Sequence, residues 1–295
     1  MRIAKYLFKF LLLFIFIPFL NACSCVANVD YGNEFLGARA YQDIEYQTSI
    51  GPRYIGSEGH EEMIKWLIDS LEEYGWLVEN QELDYSGVGI NNIIARNGGE
   101  GDWIIIGAHY DTRQFADQEP RVEDRAKPVI GANDGASGVA VLLELARVIP
   151  GNIEKNIWLV FFDAEDNGGI NGGDWIMGSR AFVEALSKYP DEVVIVDMVG
   201  DADLQIFYER SSDSALSEEI WMHAAQLGHG EIFIPKYKYS IIDDHTPFLQ
   251  AGIPAVDIID FDYPYWHTTS DTLDKVSEKS LDIVGDTLLF WITSP

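Results

Sequence analysis

The clearest helical pattern in the chain lies between residues 58 and 74. Its apolar side chains recur every three or four positions: Met63, Trp66, Leu67, Leu71 and Tyr74. This spacing predicts an amphipathic helix with one face in the core. Gly75 follows directly, and glycine is the residue that most often ends a helix.

Beyond this helix, short apolar runs alternate with helical stretches. The runs predict strands over residues 92–95, 103–108, 156–162, 193–196 and 255–259, and the stretches predict helices over 138–148, 179–189, 216–227 and 279–291. Continuous apolar runs are typical of strands buried on both faces. The alternation therefore predicts an α/β fold, a three-layer α/β/α sandwich with a mostly parallel central sheet.

The N-terminus has a different pattern. Three basic residues accompany an apolar run that ends in Leu20-Asn21-Ala22-Cys23. This pattern predicts a secretory signal over residues 1–22, with Cys23 as a lipid-modified first residue. An uncleaved anchor helix is the alternative, and both place the rest of the chain outside the cytoplasm, either on a membrane or secreted. We expect a tether over 23–50 and a single catalytic domain over 51–295.

Composition narrows the set of partners. The net charge is −28, and the two cysteines both lie in the processing region, so the domain has no disulfide. A strongly acidic surface argues against nucleic acid as a partner and against direct contact with an anionic membrane. It is compatible with a metal ion or a substrate amino group, although solubility alone would explain many of the charges. We expect a monomer that touches a membrane only through its N-terminal anchor.

Polar residues follow the predicted strands. His109 and Asp111 come after the second strand, Glu165 and Asp166 after the third, and Asp197 after the fourth. Ligands of open α/β sheets bind beyond the carboxyl ends of the strands, so these side chains should converge at one edge.

Each of these residues, taken alone, has an ordinary structural explanation. Asp134 in an Asn-Asp-Gly sequence is usually a turn or a helix cap. As a group they indicate a metal site, because two imidazoles and three carboxylates form a donor set that suits zinc: His109, Asp134, Asp166, Asp197 and His267. Asp111 would orient the His109 imidazole from behind.

Six ordered segments resemble the M28 zinc metallopeptidases and the related glutaminyl-peptide cyclotransferases. They are Ala-His-Tyr-Asp-Thr from residue 108, Gly-Ala-Asn-Asp-Gly-Ala-Ser-Gly from 131, Phe-Phe-Asp-Ala-Glu-Asp from 161, Gly-Ser-Arg-Ala-Phe from 178, Asp-Met-Val-Gly from 197 and Trp-His-Thr from 266. The resemblance extends from about residue 51 to the C-terminus. It implies a zinc enzyme that acts on the N-terminal residue of peptides or proteins.

The resemblance also implies roles for individual residues, which differ between its two branches. In the aminopeptidase branch, two zinc ions bind His109, Asp134, Asp166, Asp197 and His267, with Asp134 bridging and Glu165 as the general base. In the cyclase branch, one zinc ion binds Asp134, Asp166 and His267. There Glu165 transfers a proton, and Asp197 and Asp243 support it.

Two features favour the cyclase branch, in which an N-terminal Gln forms pyroglutamate and releases ammonia. Trp266 precedes the last histidine, and the sequence Ile-Asp-Asp-His-Thr-Pro-Phe-Leu from residue 242 is similar to a cyclase segment. Trp266 is therefore a candidate substrate-binding residue. Three features differ from the animal cyclases or favour the aminopeptidases: Ile242 stands where the animal enzymes have Gln, their tryptophan after the paired acids is absent, and Asp271-Thr272 resembles the aminopeptidase ending.

Three other classes of protein fit the sequence less well. A carboxypeptidase would need an arginine for the substrate carboxylate, and the candidate arginines lie on a loop or within the 178–182 segment. A non-catalytic surface binding module would be expected to have lost Glu165 or a ligand. A serine hydrolase would need a Gly-x-Ser-x-Gly elbow, which the sequence does not contain.

Overall fold

The computed structural model describes residues 34–170 and 172–294, which form eight strands and seven α-helices. The strands are β1 (Leu77–Tyr85), β2 (Val88–Arg96), β3 (Trp103–His109), β4 (Asn156–Phe162), β5 (Glu192–Asp197), β6 (Ile206–Tyr208), β7 (Phe233–Tyr237) and β8 (Ala255–Ile259). The helices are α1 (Gly37–Ser49), α2 (Glu58–Glu73), α3 (Ala136–Val148), α4 (Met177–Ala185), α5 (Ser214–Gln226), α6 (Thr246–Gln250) and α7 (Glu278–Thr293).

Six of these strands make the central sheet, in the order β1-β2-β4-β3-β5-β8. Strands β4, β3, β5 and β8 are parallel, whereas β1 and β2 add an antiparallel hairpin at one edge. Ser86 and Gly87 form the two-residue turn of this hairpin, both with positive φ, as a tight hairpin turn requires. Strands β6 and β7 form a separate two-stranded parallel sheet.

Helices cover both faces of the central sheet. Side chains alternate between the faces along each strand, so Ile104 and Ile106 belong to one core cluster and Ile105 to the other. The larger cluster includes residues of α1, α2, α3, α5 and α7. The smaller cluster includes Phe182 of α4 and Phe248 of α6. The predicted three-layer sandwich with a mostly parallel sheet is therefore confirmed.

Most of the predicted elements are present with small differences at their ends. The strand predicted over residues 156–162 is β4 without change, and the helix predicted over 58–74 is α2 with Gly75 just beyond its end. Strands β1, β6 and β7 and helix α6 were not predicted. β1 is mostly exposed and its sequence, Leu-Val-Glu-Asn-Gln-Glu-Leu-Asp-Tyr, has no continuous apolar run.

The predicted tether over residues 23–50 is wrong for residues 37–49, because these residues form helix α1 inside the domain. Ala40, Ile44 and Gln47 of this helix are fully buried, and the Gln47 side chain donates a hydrogen bond to the Ala136 carbonyl, 3.0 Å away. The ring of Phe35, just before the helix, packs so closely against Gly285 that a Cβ atom there would lie 2.1 Å from it and would force the ring to move. α1 was missed because its buried face contains only one large apolar residue.

The predicted signal over residues 1–22, Cys23 and the first part of the tether lie outside the described residues. Among the described helices, none is both long enough and apolar enough to cross a membrane.

A core substitution in α1 tests whether this helix belongs to the folded domain. Replacing the buried Ile44 (Ile44→Ala) should lower the free energy of unfolding by about 2–5 kcal/mol, because it removes buried methyl groups and leaves a cavity. Urea denaturation of the purified domain measures this change. The matched control is Glu45→Ala, one position along on the exposed side of the same helix. Equal stability of the Ile44 variant and the control would mean that residues 37–49 are only a tether.

Candidate metal centre and active site

Functional side chains converge at the carboxyl edge of the parallel strands. His109 is the last residue of β3 and Asp197 is the last residue of β5. Because Gly107 pairs with Ile195 in neighbouring strands, the two strand ends are level. The Asp197 Oδ1 atom consequently lies 3.1 Å from His109 Nε2. Asp166 and Glu165 follow β4, the strand on the other side of β3.

Two groups of metal-ligand atoms share one aspartate. Asp134, Asp166 and His267 bring one ligand atom each within 4.8 Å of one another, and so do His109, Asp134 and Asp197. His267 Nε2 lies 2.8 Å from Asp166 Oδ1 and 3.6 Å from Asp134 Oδ2. His109 Nε2 lies 3.2 Å from Asp134 Oδ1. Asp134 therefore stands between the two imidazoles, with one carboxylate oxygen toward each.

The donor set fits a metal ion. Asp134 Oδ2 and Asp166 Oδ2 are both buried, and neither has a hydrogen-bond partner among the described residues. A buried carboxylate oxygen without a partner is costly unless a cation neutralises it. Aspartate oxygens and imidazole nitrogens without sulfur are ligands that zinc accepts in tetrahedral sites. A third ligand group, His109, Glu165 and Asp166, shares His109 and Asp166 with the other two groups and adds Glu165.

The pKa values of the two imidazoles reflect the negative charge of this cluster. Burial alone would lower the pKa of His267, but the charges of Asp166 and Asp134 and its contact with Asp117 raise that pKa to about 10. The pKa of His109 is likewise raised well above its usual value despite burial, because Asp111, Asp134 and Asp197 surround it. The same negative field also attracts a metal cation.

Asp111 organises one side of the cluster. Its two carboxylate oxygens accept hydrogen bonds from the backbone N–H groups of Glu165 (3.0 Å) and Asp166 (3.1 Å). The same carboxylate lies 3.5 Å from His109 Nδ1, the nitrogen that faces away from Asp197. Asp111 thus holds the turn after β4 and stands behind the imidazole, where it was predicted.

Asp271 does the same for the Asp134 turn. Its carboxylate accepts hydrogen bonds from the backbone N–H groups of Asn133 (2.9 Å) and Asp134 (3.1 Å), and the Tyr263 hydroxyl donates to it at 2.7 Å. Gly135 follows with a φ of 89°, and a Cβ atom there would lie 2.7 Å from the Asp111 carbonyl oxygen. Only glycine allows the chain to turn into α3 at this point.

A buried arginine stands next to these acids. The Arg53 guanidinium donates to the carbonyl groups of Gln47, Tyr110, Ile130 and Gly131. Burial lowers its pKa to about 10, although Asp271 and Asp111 oppose that change. Arg53 therefore remains charged at neutral pH and offsets part of the negative charge.

A pocket of about 360 Å³ opens above the Asp134, Asp166 and His267 group. Its wall contains the acids Asp134, Glu165, Asp166, Asp197 and Asp243 and the apolar side chains Trp175, Met198, Ile241, Ile242, Ile259, Phe261 and Trp266. Among the described residues, no arginine or lysine lines it. The pocket is at the small end of the range for ligand sites, and its charge suits a substrate amino group but not a substrate carboxylate. The carboxypeptidase alternative therefore finds no support.

The predicted proton-transfer residue Glu165 and its two predicted supporting acids, Asp197 and Asp243, line this pocket, but they do not form one hydrogen-bonded chain. Burial and the charge of Asp166 raise the pKa of Glu165 well above its usual range. Burial and the charge of Asp197 raise the pKa of Asp243 to about 7. The side-chain hydrogen bonds of Asp197 and Asp243 go to His109 and to the Asp244 backbone, not to Glu165.

Two tryptophans stack on the candidate ligand His267. The Trp266 ring centroid lies 3.9 Å from that of His267 at an interplanar angle of 25°. The Trp175 ring is nearly parallel to His267, at 5.8 Å and 11°. Trp175 stands at a different position in the sequence from the tryptophan of the animal cyclases, but it is brought to the pocket wall. Both rings provide flat apolar surfaces beside the candidate metal site.

Sequence reasoning missed several residues that hold the site. Asp117 contacts His267 Nδ1 at 3.2 Å, yet it lies in a charged loop that showed no pattern. Asp271 was noticed only for its resemblance to the aminopeptidase ending, and Arg53 not at all. The available signal was chemical: a carboxylate is often found behind a metal-binding histidine. The sequence could not say which of the many acids would take that place.

The comparisons with known proteins agree with this geometry. The model of peptidase family M28 matches residues 92–292. The structure of a glutaminyl cyclase from Bacteroides thetaiotaomicron has a TM-score of 0.83 and 31% identity, and the match covers 89% of this chain and 99% of that one. A leucine aminopeptidase precursor from the same organism has a TM-score of 0.84 and 31% identity, over 89% of this chain and 98% of the other. The glutaminyl-peptide cyclotransferase of the snake Boiga irregularis is 24% identical, over 81% of this chain and 76% of its own length.

The family match covers more than half of the chain, and both branches expected from the sequence occur among the similar proteins. The segments that match include the candidate metal ligands and Glu165. The chain belongs to peptidase family M28.

Proposed function

We propose that this protein is a zinc enzyme that converts N-terminal Gln residues of peptides to pyroglutamate. The observation that carries the proposal is the pocket itself, which combines a three-ligand metal group, an adjacent glutamate and two tryptophans stacked on the ligand histidine. Cyclisation needs both ends of one glutamine residue to meet, so a small pocket with flat walls suits it.

Asp134, Asp166 and His267 would hold the zinc ion. When bound, zinc supplies Lewis-acid polarisation of the γ-carboxamide carbonyl. Catalytic zinc sites combine three protein ligands with a position for water or substrate, and this three-residue group beside the pocket would suit such an ion.

Glu165 would move the proton. In the reaction the α-amino nitrogen bonds to the γ-carbonyl carbon, the bond from that carbon to the amide nitrogen breaks, and ammonia leaves. Glu165 accepts the proton that the attacking amine loses and gives it to the departing nitrogen. Its raised pKa is useful here, because a carboxylate of ordinary acidity would be a poor base and a poor proton carrier near neutral pH.

The acids around Glu165 favour a substrate with a free amino terminus. Asp197 and Asp243 line the same pocket and add negative charge near the position of the α-amino group. Trp266, Trp175 and Phe261 would exclude water and hold the ring as it forms. The identity of 31% to a bacterial glutaminyl cyclase supports this reading.

Aminopeptidase activity is the second candidate, and one observation favours it. His109 and Asp197 form a second ligand group with Asp134, so the chain retains the donors for two zinc ions. With two ions bound, Glu165 would act as general base for hydrolysis of the first peptide bond. The leucine aminopeptidase precursor is as similar to this chain as the cyclase is.

The proposed place of action is outside the cytoplasm. The basic and apolar N-terminus and Cys23 support export, with a lipid or an N-terminal helix as membrane anchor. An exported enzyme of this kind would meet the N-termini of secreted proteins and peptides.

Two peptides separate the candidate reactions. Purified wild-type protein is incubated with a peptide that begins with Gln and with one that begins with Leu, with and without a chelator. Mass spectrometry should show loss of ammonia from the Gln peptide only, and the chelator should stop it. Release of free Leu or free Gln would instead identify an aminopeptidase.

A single substitution tests the role of Glu165. Glu165→Gln retains the size of the side chain and removes the proton-carrying group, so kcat should fall by about 10²–10⁴-fold, while zinc content and the unfolding midpoint remain close to those of the wild type. The control is Glu184→Gln, an exposed acid in α4, which should keep full activity. Wild-type turnover by the Glu165 variant would remove this residue from the mechanism.

Removal of the ligand histidine tests the metal group. His267→Ala should lose zinc affinity, because only two ligands of the group remain. Zinc content after dialysis, measured by elemental mass spectrometry, should fall by one ion per chain, whereas the control His229→Ala, which is not in any of the ligand groups, should retain the wild-type content. A zinc content of the His267 variant equal to that of the wild type would exclude this histidine as a ligand.

A further inference from the structure

The loop after β3, residues 112–129, reaches across to the turn that carries His267. It first folds back on itself, with Ala116 N–H donating to the Lys127 carbonyl at 2.8 Å. Gln118 N–H then donates to the His267 carbonyl at 3.2 Å. The Glu119 carboxylate accepts from both the backbone N–H and the hydroxyl of Thr269, each at 2.9 Å. The 112–129 loop is therefore bonded to the His267 turn at the histidine itself and two residues beyond it.

Asp117 places a carboxylate behind the candidate ligand. Its Oδ1 atom lies 3.2 Å from His267 Nδ1, while the opposite nitrogen, Nε2, faces Asp166 and Asp134. An Nδ1–H that donates to Asp117 leaves the Nε2 lone pair free for a metal ion. The same contact fixes the rotation of the ring, and it does so for a residue whose φ of 54° is unusual outside glycine.

Arg113 connects Asp117 to the second ligand and to the pocket wall. Its guanidinium donates to Asp117 Oδ2 at 2.7 Å and to the carbonyl groups of Asp166 and Gly168 at 2.7 and 2.8 Å. It also lies 4.6 Å above the Trp175 ring. At Gly168, a Cβ atom would lie 2.0 Å from that ring, so the indole needs the glycine in order to sit here.

We propose that Arg113 and Asp117 form a positioning unit for the metal centre. This inference rests on the proposed zinc site, and it assigns to the 112–129 loop a task that its sequence does not reveal. Asp117 sets the orientation and the tautomer of His267. Arg113 fixes Asp117, the backbone of Asp166 and the face of Trp175 at once, so that two metal ligands and one pocket wall depend on a single ion pair.

The geometry distinguishes this unit from an ordinary surface ion pair. The side chain of Arg113 is only 6% exposed and that of Asp117 is 41% exposed. Because Asp117 is partly exposed and Asn has the same shape, replacing this carboxylate should cost the fold little and should affect the metal site more. In the same loop, the Asp124 carboxylate pairs with Arg121 and Lys127, and within residues 34–170 and 172–294 it has no ion pair or hydrogen bond with a candidate ligand. It provides a matched control.

Zinc affinity is the direct test. Asp117→Asn, Asp124→Asn and wild-type protein are titrated with zinc in competition with a chromophoric chelator. Asp117→Asn should bind zinc about 10–100-fold more weakly, the usual effect of losing a carboxylate behind a metal-binding histidine, and excess zinc should restore the wild-type stoichiometry. Asp124→Asn should match the wild type. A misfolded variant would not recover its stoichiometry with excess zinc.

A second substitution tests the arginine. Arg113→Lys keeps the positive charge but cannot make the forked contacts to Asp117, Asp166 and Gly168. It should also weaken zinc binding, and it should raise KM for a Gln peptide because Trp175 loses its support. Zinc affinity of both variants within twofold of wild type would overturn the inference. If the wild-type protein itself bound no zinc, the proposed function would fail instead.

Discussion

The rest of the site depends on the burial of several carboxylates at one edge of the sheet. Asp134, Asp166 and Asp197 are nearly inaccessible to water, and like charges so close together repel strongly in a medium of low polarity. The chain supplies some compensation through Arg53 and the two imidazoles. It does not satisfy Asp134 Oδ2 or Asp166 Oδ2. A divalent cation would complete the arrangement, and the remaining features of the site are those needed to hold the acids in place for it.

Three strained backbone positions adjoin or belong to the candidate site residues. Ala164, just before Glu165, Met198, just after Asp197, and His267 all have positive φ, which is uncommon for residues other than glycine. Such conformations cost about 1–3 kcal/mol each and persist only when their surroundings fix them. Carboxylates around the metal group help to fix two of these conformations. The Asp163 carboxylate accepts a hydrogen bond from the Ala164 N–H at 2.9 Å, and the 112–129 loop contacts the His267 ring, the His267 carbonyl group and Thr269. The site residues therefore have a defined geometry, and the strained backbone lowers the local stability.

The fold, and the convergence of the candidate ligands at one edge of the sheet, could be predicted for reasons that can be traced to particular residues. β4 has a continuous apolar run, and the apolar residues of α2 recur at helical spacing. The acids after β3, β4 and β5 are aligned because parallel strands end at one edge. Helix α1 could not be predicted from its pattern, because two of its buried side chains are Ala40 and Gln47. Asp117 could not be predicted either, because its role depends on a contact with a residue 150 positions away.

The central claim is that a zinc ion, bound by Asp134, Asp166 and His267, neutralises the buried acids of the site. Crystals of the wild-type protein, purified without chelator and supplied with zinc, allow the most direct measurement, an anomalous difference map at the zinc absorption edge. The account predicts a strong peak bonded to these three side chains at about 2.0–2.2 Å. A map with no peak between them, or with zinc only at other surface acids, would contradict it.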